Sequence, residues 1–444
     1  MTIDRTRPPA LAPARLSPFP SFERHALANG LPVLCLPHRE VPLYTLRYIG
    51  SAASSYDLDR PGRALLAASL LDEGTATRSA TEIAEQIEQR GGSIGSGCDW
   101  DTSFLSVGML AQDLGFGIEL VAECLLAATF AAEETDRIRS RFLAEVKRRE
   151  DEPDALANER FSHCLYADGP YSHPPIGNAS VLADLSPSEL REFVSSHALS
   201  QESFVVAVGD FETGQLLDGL ESAFGSTERA DSAAPPLPEP RGLSEREIHI
   251  VDRPEAQQTV LRIGHVGVPR RDPDRTALVL LNSLLGGKFT SRLNLNLREQ
   301  HGFTYGVSSS FQFRKEAGPF VVGTSVANDV AGPAVEQVLH ELDRLLQEPP
   351  EQDELDDARD YLLGVFPYGL QTLSGLASRI EELQIHGLPD DYYDAMAQRL
   401  DLTAEDLHAA ARRHVHPEKS VIVAVGPRAS LEPQLAPFGR IVDA

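Results

Sequence analysis

The chain has 444 residues, of which 42% are hydrophobic, and a formal net charge of −26 from 66 acidic against 40 basic side chains. That length exceeds one ordinary hydrophobic core and divides most naturally into two domains. An acidic surface makes nucleic acid and anionic membranes poor partners. It fits general solubility or a salt-rich habitat, and is compatible with a cationic peptide substrate without requiring one. No apolar run reaches the roughly 18 residues of a bilayer span. Cys35, Cys98, Cys124 and Cys164 are widely spaced with no C-x-x-C pair, which excludes a disulfide scaffold or zinc ribbon and leaves buried free thiols.

In chain order, residues 1–21 are Pro-rich and carry Arg5, Arg7 and Arg15 without an apolar h-region. They read as a loose leader rather than a secretory signal, so the cytoplasm is expected rather than the periplasm. Apolar strands follow over Leu31–Leu36 and Leu43–Ile49, then a helix over Arg63–Leu71. Ser79-Ala80-Thr81-Glu82 is a capping box opening a helix with Ile83 and Ile87 four apart, stopped by Gly91-Gly92. A second box, Ser186 with Glu189, leads past His197 into the strand Ser203–Gly209. Residues 228–246 contain the run Pro235-Pro236-Leu237-Pro238-Glu239-Pro240 and form a semi-rigid linker.

The second half opens like the first, with strands Ile248–Val251 and Thr259–Val266 and a helix over Thr276–Leu285. Near its end, Thr403 and Asp406, His414 and the strand Ser420–Gly426 repeat the Ser186, Glu189, His197 and Ser203–Gly209 pattern. Every paired position is offset by 217 residues, without a gap. His197 and His414 are therefore structural positions of a repeat rather than ligands. The expected fold is α+β: two homologous domains from an internal duplication (22–227 and 247–444), each a mainly antiparallel sheet covered by helices.

The most informative stretch runs from Leu285-Gly286-Gly287-Lys288-Phe289 to Tyr305. Thr290 or Ser291 can cap a short helix over Arg292–Gln300, halted by Gly302. Arg298 on its last turn and Tyr305 just beyond can point at one place, with donors suited to a peptide carbonyl or developing oxyanion. Equally, Arg298 could pair with a neighbouring Glu and Tyr305 pack in a core. The run Leu297-Arg298-Glu299-Gln300-His301-Gly302-Phe303-Thr304-Tyr305 resembles the "LRE-x-x-G-L-A-Y" signature of pitrilysin/insulinase-type zinc peptidases. The resemblance implies that Arg298 and Tyr305 bind substrate backbone opposite a zinc site.

That family's inverzincin helix, H-x-x-E-H, places two histidines on one zinc with a glutamate between them. Pro61-Gly62-Arg63-Ala64-Leu65-Leu66-Ala67-Ala68-Ser69-Leu70-Leu71-Asp72-Glu73-Gly74-Thr75 matches its frame without a gap. Leu65 and Ser69, however, stand where the histidines belong, and Ala68 where the base belongs. Two aliphatics and a hydroxyl cannot hold zinc. Glu145 occupies the third ligand's place; among Lys147, Arg148 and Arg149 it reads as a salt-bridged residue, a vestige rather than a ligand.

The resemblance then implies the non-zinc member of a two-chain bacterial peptidase, half of a clamshell-like chamber. This chain would bind no cofactor; a homologous partner would carry zinc, and Arg298 and Tyr305 would act in trans on peptides or unfolded chains. The alternative is a catalytically inactive scaffold or peptide-binding core subunit of a larger complex. In the family a substrate adds as a strand to a sheet edge in the zinc-bearing half. Gly95–Val107 is the equivalent stretch here, or an ordinary edge or inner strand with Trp100 packed.

Overall fold

The structure is a computed structural model that describes residues 18–442, save 168, 231–236 and 238. Most of the expected leader and part of the linker thus lie outside the described residues. Six strands from the first half, β1 (Glu23–Ala26), β2 (Pro32–Pro37), β3 (Leu43–Gly50), β4 (Ser93–Cys98), β5 (Ser103–Leu110) and β6 (Phe204–Gly209), form one sheet in the order β1-β2-β6-β3-β5-β4. Six from the second half form another. They are β7 (Glu247–Asp252), β8 (Gln258–Val266), β9 (Val307–Phe311), β10 (Pro319–Ala327), β11 (Val421–Gly426) and β12 (Arg440–Ile441), in the order β12-β7-β11-β8-β10-β9. Pairing is antiparallel except for β2–β6, β7–β11 and β7–β12. The fold is α+β, as the patterning predicts.

The duplication is visible residue by residue. Helix Pro187–His197 and β6 recur as helix Ala404–His414 and β11 at the 217-residue offset. Both helices open on a complete capping box, Ser186 with Glu189 and Thr403 with Asp406. The halves differ at one edge, where β1 runs antiparallel to β2 while β12 runs parallel to β7. These strands, of 4 and 2 residues, are too short to show alternation and escape the sequence reading.

Every residue of β6 and β11 is buried, because both faces of each strand are covered. Val205 and Ala207 face the first half's own helices, whereas Phe204, Val206 and Val208 pack against Leu376, Ala377, Ile380 and Leu383. Those four lie on helix Leu373–Ile385, which belongs to the second half. Reciprocally, Val421, Val423 and Val425 of β11 pack against Ala157, Phe161, Cys164 and Leu165 of the first half's helix Pro153–Tyr166. Each half therefore lends a helix to cover the other's sheet.

The connections are docked where they are described. Phe19, within the stretch read as leader, is buried against Tyr393, and its N–H donates to Asp394 Oδ1 at 2.8 Å. Arg229 donates to the carbonyls of Gly30, Ser200, Gln201 and Ser203, and Leu237 and Leu243 pack beside the second sheet. Cys35, Cys124 and Cys164 are buried free thiols, and Cys98 is half-buried. Among the described residues no helix is long and apolar enough to cross a membrane.

Candidate functional site

The helix that matches the zinc-helix frame is short, Arg63–Ala68. It is entered through Gly62, whose φ of +101° and whose contact with Ile176 O, 2.6 Å from an added Cβ, admit only glycine. The buried Asp57 carboxylate holds the helix start, accepting the N–H of Gly62 at 3.0 Å and of Ala64 at 2.7 Å. Burial pushes that carboxyl up to about 7 despite these hydrogen bonds. Ala64, Leu66, Ala67 and Ala68 are buried in the first core, Leu65 packs at its margin and Ser69 closes the C-terminus.

Glu145, on helix Ala132–Asp151, is gripped by Arg148, whose Nε and Nη2 donate to its two oxygens at 2.9 and 2.6 Å. The guanidinium holds this carboxyl below the usual carboxylate range. A methyl, an isobutyl and a hydroxyl beside a neutralised carboxylate do not fit zinc. Among the described residues two groups do bring possible ligand atoms together, Glu23–His25–Cys35 and Asp272–Asp274–His414. Neither contains Leu65, Ala68, Ser69 or Glu145. His414 bonds Asp274 at 2.7 Å, while His197 bonds the Phe193 carbonyl at 2.9 Å and stacks on that ring.

Gly95–Val107 is a hairpin rather than one strand. β4 is the sheet's outermost strand, and Asp99 turns the chain by accepting the N–H groups of Asp101 and Thr102 at 2.7 Å each. Trp100 sits in that turn. Its Nε1–H donates to His173 O at 2.9 Å and its ring lies 3.7 Å from the Arg314 guanidinium, so it fastens the first half to the second.

In the second half, the chain from Arg292 to Gln300 is helical as expected, but it widens into π-type turns over Asn294–Gln300. Gly302 follows with a φ of +65°, matching the predicted stop. Neither hydroxyl caps the backbone: Ser291 Oγ accepts from the Asn294 side chain at 3.2 Å, and the Ser291 carbonyl takes the Leu295 N–H at 2.9 Å. Arg298 is half-buried, its guanidinium lying 4.1 Å over the Phe289 ring, with Nη1 3.6 Å from Glu299 Oε1. That Nη1 is shielded from water and makes no hydrogen bond. Tyr305 is 93% exposed, so it does not pack in a core. The structure records no contact between the two side chains; they share a short segment, Arg298 paired with Glu299 and Tyr305 open to solvent. Phe289 has no role in the sequence reading; the structure leaves it 67% exposed, with the Arg298 guanidinium over its ring.

With this geometry in view, comparisons with known proteins are specific. The family model described as insulinase (peptidase family M16) matches residues 49–178, and that described as the peptidase M16 inactive domain matches residues 184–362. A zinc protease of Streptomyces coelicolor is 27% identical over 349 residues, covering 77% of this chain and 76% of its own. One of Mycobacterium tuberculosis is 25% identical over 364 residues, covering 81% and 83%. The crystal structure of a peptidase M16 inactive domain from Pseudomonas fluorescens superposes with a TM-score of 0.85 at 29% identity, covering 91% of this chain and 98% of that one. A Helicobacter pylori protease shares the fold, with a TM-score of 0.85 at 19% identity over 92% and 100% of the two chains. The chain belongs to the insulinase-type (M16) peptidase family and resembles its non-zinc subunits.

Proposed function

We propose that this chain, with domains at 22–227 and 247–444 joined by the linker, is the zinc-lacking subunit of a heterodimeric metalloendopeptidase. A homologous zinc-bearing subunit is its partner, and peptides or unfolded chains are the substrate. The carrying observation is the almost fully exposed Tyr305 on the same short segment as the half-buried Arg298, in a chain whose zinc-frame helix offers no ligand. Zinc on the partner would supply the activated water. Arg298, braced against Phe289, would bind the substrate carbonyl, and the Tyr305 hydroxyl would donate to the oxyanion as it forms. A scaffold or peptide-binding core subunit is the second reading, and it has no use for an exposed tyrosine hydroxyl held next to an arginine.

The test is turnover of the complex with its zinc-bearing partner. Loss of one such donor costs about 3 kcal/mol, roughly a hundredfold in rate. Arg298→Ala and Tyr305→Phe should each lower turnover toward that extent while assembly stays intact. Normal turnover in both variants refutes the assignment.

A further inference from the structure

The sheet edge next to Tyr305 is closed. β9 is the outermost strand of the second sheet, yet its free backbone groups are met by side chains. Asn294 Nδ2 donates to Val307 O at 2.8 Å while its Oδ1 accepts the Val307 N–H at 3.3 Å, and Asn282 Nδ2 donates to Ser309 O at 3.0 Å. Gly286 presses on the same edge, where an added Cβ would lie 2.5 Å from Ser309 Oγ. An extended peptide beside Tyr305 cannot join this sheet by main-chain pairing, because the positions it would use are taken.

The face of the sheet is open instead. A trough of about 490 Å³ runs across it, bounded by Tyr305, Ser308, Ser310, Gln258, Arg262 and Asp154. Ser308, Gly323 and Arg262 are direct neighbours across β9, β10 and β8, so the glycine is a floor between a hydroxyl wall and a guanidinium wall. Arg262 is already neutralised, its Nη2 2.6 Å from Asp154 Oδ1 and its Nε donating to Asn158 Oδ1 at 2.7 Å. The side chains of Ser308, Ser310 and Gln258 make no hydrogen bond to another side chain or carbonyl among the described residues. Beside that internally paired Arg262–Asp154 couple, the trough presents hydroxyl and amide groups with their hydrogen-bonding capacity free.

We infer that this trough is a specificity subsite that takes a polar, uncharged side chain of the substrate peptide, of the Ser, Thr, Asn or Gln class. The inference rests on the function proposed above. A charged side chain would meet Arg262 and Asp154 already neutralising each other, and would have to compete with that pair; an apolar one would strip water from hydroxyls without replacing their bonds.

Gly323→Val tests it. Gly323 lies in regular strand, and an added Cβ would first meet Arg262 Nη1 at 3.4 Å, an ordinary contact, so valine suits the strand and fills the trough. The complex with its zinc-bearing partner digests a peptide library randomised around the scissile bond. Wild type should favour polar uncharged residues over Leu and Phe at one position by about tenfold, the worth of one or two side-chain hydrogen bonds. Gly323→Val should abolish that preference while the library is still cleaved. Ser308→Ala with Ser310→Ala should weaken it severalfold, and carries the test if the valine variant melts early. A wild-type profile without the preference, or a variant profile unchanged from wild type, overturns the subsite. Should Arg298→Ala and Tyr305→Phe leave turnover intact, the underlying function fails; should they lower it while the profile ignores Gly323→Val, only the subsite fails.

Discussion

Cutting the chain between its halves separates each sheet from the helix that covers it. Without helix Leu373–Ile385, the first sheet would expose Leu34, Leu36, Ile49, Phe204, Val206 and Val208. At about 1.5–3 kcal/mol for each fully buried side chain, six of them amount to roughly 9–18 kcal/mol. That matches or exceeds the whole stability of a typical domain, about 5–15 kcal/mol. Residues 22–227 expressed alone should therefore be insoluble or melt without cooperativity, and so should 247–444, which loses helix Pro153–Tyr166 from Val421, Val423 and Val425. Co-expressed, the fragments should recover a single cooperative unfolding transition, read by circular dichroism and calorimetry. A gentler probe is Ile380→Ala: this fully buried contact should cost about 2–5 kcal/mol. A 22–227 fragment that melts cooperatively near the temperature of the full chain would refute the reasoning.

Asp57 predicts a pH dependence. Its ordinary value is 3.8 and its folded value about 7, so the fold favours the protonated form. Its contribution to stability is fully present below about pH 4 and is lost as pH rises through about 7. The loss is on the order of 4 kcal/mol. Asp57→Asn should flatten that part of the curve of denaturation midpoint against pH; an unchanged slope contradicts the assignment. Ser186→Ala and Thr403→Ala remove equivalent caps from equivalent helices, and each should cost about 1 kcal/mol by chemical denaturation.

The repeat was legible because its strongest signals are local. Capping boxes and apolar strands ending in glycine survive duplication as letters, so β6, β11 and the helices before them fall where the offset puts them. The aliphatic and hydroxyl residues at Leu65, Ala68 and Ser69 are equally legible as letters, since ligand chemistry depends on residue type. Three features were hidden. A strand such as Phe204–Gly209 tells that both its faces are covered but not by which half's helix, so the exchange needed the structure. The hairpin at Asp99 was concealed because one carboxylate makes the turn inside a stretch rich in strand-forming residues. The closing of β9 by Asn282 and Asn294 depends on side chains separated from it by a turn of helix and a loop, which no spacing rule displays.

The proposed function divides zinc and substrate binding between two chains, so this one alone should hold no metal. The most direct measurement is zinc content of this chain purified alone, after dialysis against excess metal-free buffer. The account predicts far less than one zinc per chain, because Leu65, Ala68 and Ser69 offer no ligand set and Glu145 is held by Arg148. One tightly held zinc per chain would contradict it.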